Sequence, residues 1–139
     1  MEPAPNITRR PRQQTKTPPC AAGCPSGTDV RGWLAVISQR TTFGYSESEA
    51  LEKAWNMVVE RNPFPATMGR ICPHPCESGC NRSDKDGAVA VSAMERYLGD
   101  QAIQNKLKLP VIEGPARSES VGVIGSGPAG LSFAYQMAR

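Results

Sequence analysis

The sequence predicts a mostly α-helical fold that runs into the first strand and helix of a doubly wound α/β unit. Three observations carry that reading. Apolar residues recur at helical spacing in three separate stretches. Five cysteines fall into two short windows flanked by proline. A glycine-rich turn near the C-terminal end sits between a short apolar run and a helix start. At 139 residues the chain is sized for about one domain. Thirteen Gly and thirteen Pro stay below the share of a low-complexity chain. With 39% apolar and 6% aromatic residues, the chain can bury a modest core.

Residues 1–19 hold five prolines (3, 5, 11, 18 and 19) among Arg, Gln and Thr, and are expected to be a disordered tail. They contain no apolar stretch of the kind a secretory signal needs, and Arg9-Arg10 is followed by Pro-Arg-Gln-Gln rather than by an apolar run. No stretch approaches the ~18 consecutive apolar residues of a membrane span. Membrane insertion and export are therefore not expected. The tail also carries the whole net charge of +3, through Arg9, Arg10, Arg12 and Lys16 against Glu2. A nucleic-acid binder would place that charge on a folded face, so no nucleic-acid partner is expected.

A folded unit is expected over residues 20–107. Its first helix follows from Val30, Trp33, Leu34 and Ile37 at i, i+3, i+4, i+7, with Thr28 or Asp29 as N-cap. Ser46-x-x-Glu49 is a capping-box pattern that opens the second, whose buried stripe is Leu51, Ala54, Trp55 and Val58. Asn62-Pro63 closes it, since the residue before proline is pushed out of helical geometry. The third is expected from Ala88 to Leu107, with Val91, Met94, Leu98 and Ala102 on one face and Gly99 a weak point worth about 1 kcal/mol. These stripes read as ordinary core. Between the second and third helices, Asn62 to Asp86 reads as a long loop without secondary structure, ordered by a metal centre.

Pro110, Gly114 and Pro115 mark residues 108–120 as a linker. Val121 to Ile124 then reads as a short strand, followed by Gly125-Ser126-Gly127-Pro128-Ala129-Gly130 and a helix from Leu131 to Arg139. A G-x-G-x-x-G turn between strand and helix is the dinucleotide fingerprint. Its first glycine permits the tight turn, its second lets a pyrophosphate approach, and its third packs helix on strand. The alternative is a glycine-rich turn without a ligand. An acidic residue for the ribose is expected about 20 positions further on, together with neighbouring strands, and residue 139 lies only nine past Gly130. The expectation is thus the N-terminal piece of a longer flavoprotein, its dinucleotide domain truncated at 121–139.

The cysteines are Cys20, Cys24, Cys72, Cys76 and Cys80. An odd count without an export signal argues against a disulfide framework and for a reducing, cytoplasmic location. Clustering in Cys20-x3-Cys24-Pro and Cys72-Pro-His-Pro-Cys76-x3-Cys80 points to metal ligation. Structural zinc sites prefer C-x2-C pairs, which neither window has, whereas Cys followed by Pro recurs in iron–sulfur runs. Iron–sulfur is the favoured reading. Zinc with His74 as fourth ligand is the alternative, although His74 is more readily a packing residue. Hydrolytic catalysis has no support, because no Ser/His/acid or paired-carboxylate constellation is visible.

The stretches PPCAAGCPSGTDVRGWL, NPFPATMGRICPHPCESGCNR, GAVAVSAMERYLGD and VGVIGSGPAGLS together resemble the small (beta) subunit family of NADPH-dependent glutamate synthase. The N-terminal iron–sulfur domain of dihydropyrimidine dehydrogenase and the iron–sulfur flavoproteins of the dissimilatory sulfite reductase system look like the same module. The resemblance spans residues 18–139. It implies an alpha-helical ferredoxin-like domain with two [4Fe–4S] clusters, wired to FAD- and NAD(P)H-binding domains and to an electron-accepting or electron-donating partner subunit. It further implies that Cys24, Cys72 and Cys76 hold one cluster with Glu95 as fourth ligand, the bland alternative for Glu95 being a solvated helix charge. Cys20 and Cys80 match ligands of the other cluster. Relatives place two more cysteines just before Cys20, where this chain has Gln13-Gln14-Thr15-Lys16-Thr17, so that second set is incomplete. The function implied is electron transfer between FAD and a partner through a [4Fe–4S] cluster. The alternative is a non-catalytic zinc-binding or docking module.

Overall fold

A computed structural model describes residues 16–115 and 117–139; most of the expected tail, residues 1–15, lies outside the described residues. Seven helices are described: α1 (Pro19–Ala22), α2 (Val30–Ser38), α3 (Glu47–Val59), α4 (Pro65–Ile71), α5 (Pro75–Ser78), α6 (Val91–Gln104) and α7 (Pro128–Ala138).

Local chemistry accounts for the longer ones. The Asp29 carboxylate accepts from the Gly32 N–H and starts α2. At α3 the capping box is complete: the Ser46 hydroxyl accepts from the Glu49 N–H, and the Glu49 carboxylate accepts from the Ser46 N–H at 2.8 Å. The α6 helix is shorter than expected, because Ala90 offers no side-chain cap and Asn105 closes the far end. Its start is capped from a distance: the Glu77 carboxylate on α5 accepts from the Ser92 N–H at 2.8 Å.

The segment between α3 and α6 departs from expectation. It holds α4 and α5, where an irregular loop was expected, and each begins with proline at its first position. Proline breaks a helix interior but suits the first turn, where its missing N–H would be unpaired anyway. A third short helix, α1, starts the same way at Pro19.

The most extensive contact is between α4 and α6. It is backbone-close: a Cβ on Gly69 would collide with the backbone of Ser92 and Arg96, and one on Gly99 with that of Ala66. Gly99 therefore exchanges helix propensity for interhelical approach. Arg70 locks the pair, donating to both Asp100 carboxylate oxygens at 2.9 Å. Two cores flank α3. One gathers Val30 and Trp33 of α2, Ala54 and Val58 of α3, Cys76 of α5, and Val91 and Leu98 of α6. The other gathers Trp55, Val59 and Ala102 with Leu107 and Leu109.

Val121–Ile124 forms no strand, and no strand occurs among the described residues. The physical reason is the lack of a partner: an isolated extended segment has nothing to bond its N–H and C=O groups. The α7 helix does form, beginning at Pro128 within the glycine turn rather than at Leu131. It is tied to the helical unit at Glu60, whose carbonyl accepts from the Gln136 amide at 2.9 Å.

Candidate metal centre

Both cysteine windows meet where α1 packs on α5. Gly23 makes the meeting possible, since a Cβ there would stand 3.3 Å from the Pro75 carbonyl oxygen and 3.4 Å from the Cys76 Cα. That glycine lies between Cys20 and Cys24. Its role could not be read from the sequence, because it depends on where α5 arrives. Cys20 and Cys24 both pack against the core cluster that contains Cys76.

Cys76 is the centre of the site. Burial pushes its thiol up to about 11, and the neighbouring charges of Glu77, Cys24, Glu95 and Cys72 push the same way. The first window, the second window and α6 therefore bring Cys24, Cys72 and Glu95 within electrostatic reach of Cys76. Glu95 is buried on α6. Burial raises its carboxyl above the usual range and Glu77 adds to that, while the adjacent Asn62 amide works the other way. A solvated helix charge is thus the wrong description of Glu95. Burial favours its neutral, protonated form, and a cation bound nearby would favour the carboxylate instead.

His74 is exposed and does not join the thiols. Its backbone is left-handed (φ 44°), its Nδ1 lies 3.0 Å from the Cys72 carbonyl oxygen, and its Nε2 lies 3.8 Å from the Glu77 carboxylate. Its backbone N–H instead points at the Cys72 Sγ, 3.4 Å away. Cys80 lies just past the end of α5, its N–H donating to the Glu77 carbonyl at 3.1 Å. Backbone N–H groups of Val89 and Arg82 hold its thiol below the usual range. The adjoining Gly79, just past the end of α5, faces Pro19 at the start of α1, where a Cβ would stand 3.9 Å from the proline side chain.

A zinc ion needs its ligands converging at about 2.3 Å on one atom. Among the described residues no three His, Cys, Asp or Glu side chains do so. A cubane cluster asks for something else, one protein ligand at each of its iron corners. The gathering of Cys24, Cys72, Cys76 and Glu95 fits that donor chemistry. On the segment that follows Cys24, two buried polar atoms, Thr28 Oγ1 and Trp33 Nε1, have no hydrogen-bond partner among the described residues.

The glycine turn leads from residues 121–124 into α7. Gly125 is left-handed (φ 108°), a Cβ on Gly130 would strike the Gly125 carbonyl oxygen, and a Cβ on Gly127 would meet nothing within 4 Å. The backbone conformation thus calls for glycine at 125 and packing calls for it at 130, while neither does at 127. Ser126, Pro128 and Ala129 complete the turn into α7.

Residues 9–107 match the family model described as dihydropyrimidine dehydrogenase domain II, 4Fe-4S cluster. The chain is 31% identical over 122 residues to the NADPH-Fe(3+) oxidoreductase subunit beta of Geobacter sulfurreducens, covering 88% of this chain and 17% of that protein. It is 31% identical over 124 residues to the glutamate synthase [NADPH] small chain of Escherichia coli, covering 88% of this chain and 24% of that protein. Against the glutamate synthase [NADPH] small chain of Azospirillum brasilense it is 33% identical over 127 residues, covering 89% and 24%. The chain therefore spans less than a quarter of the length of these relatives. No helix among the described residues is long and apolar enough to cross a membrane.

Proposed function

The chain belongs to the family of dihydropyrimidine dehydrogenase domain II, the 4Fe-4S cluster domain, and from that premise we propose that it is the N-terminal electron-transfer segment of a cytoplasmic, NAD(P)H-dependent iron–sulfur flavoprotein oxidoreductase. Cys24, Cys72, Cys76 and Glu95 hold one [4Fe–4S] cluster. When bound, the cluster relays single electrons between FAD and a partner subunit. The observation that supports this reading is Cys76, a buried thiol that feels the charges of Cys24, Cys72 and the buried Glu95.

The chain's own residues supply the setting. Gly23 lets the two cysteine windows touch. Glu77 bonds the second window to the start of α6 and so fixes the helix that presents Glu95. A carboxylate in place of a thiolate is one of the protein's levers on the reduction potential. Cys20 and Cys80 supply two thiols toward a second centre that this chain does not complete alone. In the C-terminal turn, Gly125, Ser126, Gly127, Pro128, Ala129 and Gly130 take the pyrophosphate of FAD, with the start of α7 offering unpaired N–H groups.

Anaerobic reconstitution with iron and sulfide tests the reading. A brown protein with broad absorbance near ~400 nm and matching iron and acid-labile sulfide is expected. A colourless protein with one zinc per chain would establish the docking-module alternative instead.

A further inference from the structure

We propose that Thr28 and Trp33 are hydrogen-bond donors to the inorganic sulfur of the cluster and hold its reduction potential up. The inference rests on the cluster reading above.

Thr28 is 1% exposed and Trp33 0%, yet Thr28 Oγ1 and Trp33 Nε1 have no partner among the described residues. Buried donors are nearly always bonded, and leaving one unbonded is costly. The usual local uses of these groups are taken by others. Asp29, not Thr28, caps α2. The Thr28 hydroxyl bonds no nearby carbonyl, although the residue follows directly on the turn in which the Cys24 carbonyl accepts from the Gly27 N–H at 3.0 Å. That turn ties Thr28 to a proposed ligand. Trp33 lies in the core cluster that contains Cys76 and is packed by Cys20 and Cys24. Neither donor bonds a cysteine sulfur or any other group among the described residues, which leaves both free to donate to a bound group. Sulfide in the cluster is an acceptor of the right kind at the right end of the molecule.

Trp55 sharpens the argument. Its Nε1 is also buried and unpartnered. It belongs to the other core, with Val59, Ala102, Leu107 and Leu109 and no cysteine. An effect due merely to an unpaired indole would appear at both tryptophans, whereas a bond to the cluster would appear only at Trp33.

The reduced cluster carries one more negative charge, so donors to its sulfur favour reduction. The test is a redox titration, followed by electron paramagnetic resonance, of the reconstituted chain and of its Thr28→Val, Trp33→Phe and Trp55→Phe variants. Thr28→Val and Trp33→Phe should assemble the cluster with wild-type iron and sulfide. Each should cut the reduced-to-oxidised ratio at a fixed potential by about tenfold, equivalent to ~59 mV for one electron. Trp55→Phe should leave the ratio unchanged. Unchanged potentials in both Thr28→Val and Trp33→Phe would overturn the inference, as would an equal shift in Trp55→Phe. Thermal melting of the iron-free chain gives an independent check. There Thr28→Val removes an unpaired hydroxyl without changing shape, so the variant should melt no lower than wild type; a clear drop would mean that the hydroxyl has a protein partner and would refute the assignment. A wild-type chain that takes up no iron and sulfide would instead sink the cluster reading itself.

Discussion

The α4–α6 contact and the cysteine corner are neighbours, joined through α6, yet they differ in how far the polypeptide alone explains them. At α4–α6 every unusual residue answers to another part of the chain. Gly69 and Gly99 admit backbone, and Arg70 is bonded to both oxygens of Asp100. At the cysteine corner the unusual residues point to something outside the polypeptide. A buried thiol sits among like charges, a carboxylate is buried on α6, and two buried donors have no acceptor. One region is complete as a polypeptide, and under the proposed function the other is completed by a bound cluster.

The largest effect should separate the two regions outright. Cys24→Ser, Cys72→Ser and Cys76→Ser should each abolish the main cluster while leaving the α4–α6 contact folded. Cys20→Ser and Cys80→Ser should leave one cluster intact. Iron and sulfide analysis checks this, and loss of all iron in Cys20→Ser or Cys80→Ser would mean that the ligands are partitioned differently.

Gly99→Ala attacks the other side of the comparison. Alanine is the better helix former by about 1 kcal/mol, but its Cβ would collide with Ala66. Overpacking costs about 1–3 kcal/mol, so urea denaturation should show a net loss of up to ~2 kcal/mol, the same with and without iron. A stabilised variant would show that α4 and α6 can separate freely.

Ser46→Ala should cost about 1 kcal/mol, again independent of iron. Here pH adds a sign. The Ser46 hydroxyl and N–H hold the Glu49 carboxyl below its ordinary value. The stability this bond contributes is therefore present above the unfolded carboxyl pKa and is lost as pH falls through the lower, folded value. The gap between wild type and Ser46→Ala should narrow in acid without closing, because the bond from the Glu49 N–H to the Ser46 hydroxyl does not titrate.

Gly127→Ala should be the smallest, within about 0.5 kcal/mol on the isolated chain. Its Cβ meets nothing, so a phosphate ligand is the only group it would disturb. A large loss of stability would mean that the turn is needed by the fold itself.

Much of the helical unit was legible because its signals are local. Asp29 and the Ser46–Glu49 box sit within three residues of the groups they cap. The stripes through Val30, Trp33, Ala54 and Val58 follow the helical period. The short helices α1, α4 and α5 were hidden by their prolines, which read as breakers unless their place at the first position is known. Gly23, Glu77 and the buried state of Glu95 were hidden for a different reason. Each depends on a partner distant in sequence: Gly23 on Cys76, Glu77 on Ser92, and Glu95 on Asn62. The strand expected over Val121–Ile124 failed on the same point, since a strand exists only with a second one beside it.

Amide hydrogen exchange of the full chain, before and after reconstitution, tests the comparison most directly. Protection should rise around Gly23–Trp33 and Cys72–Cys80 on loading, with α4 and the first turns of α3 unchanged. Equal protection of the cysteine corner in both states would contradict the account, because that corner would then be complete without a cluster.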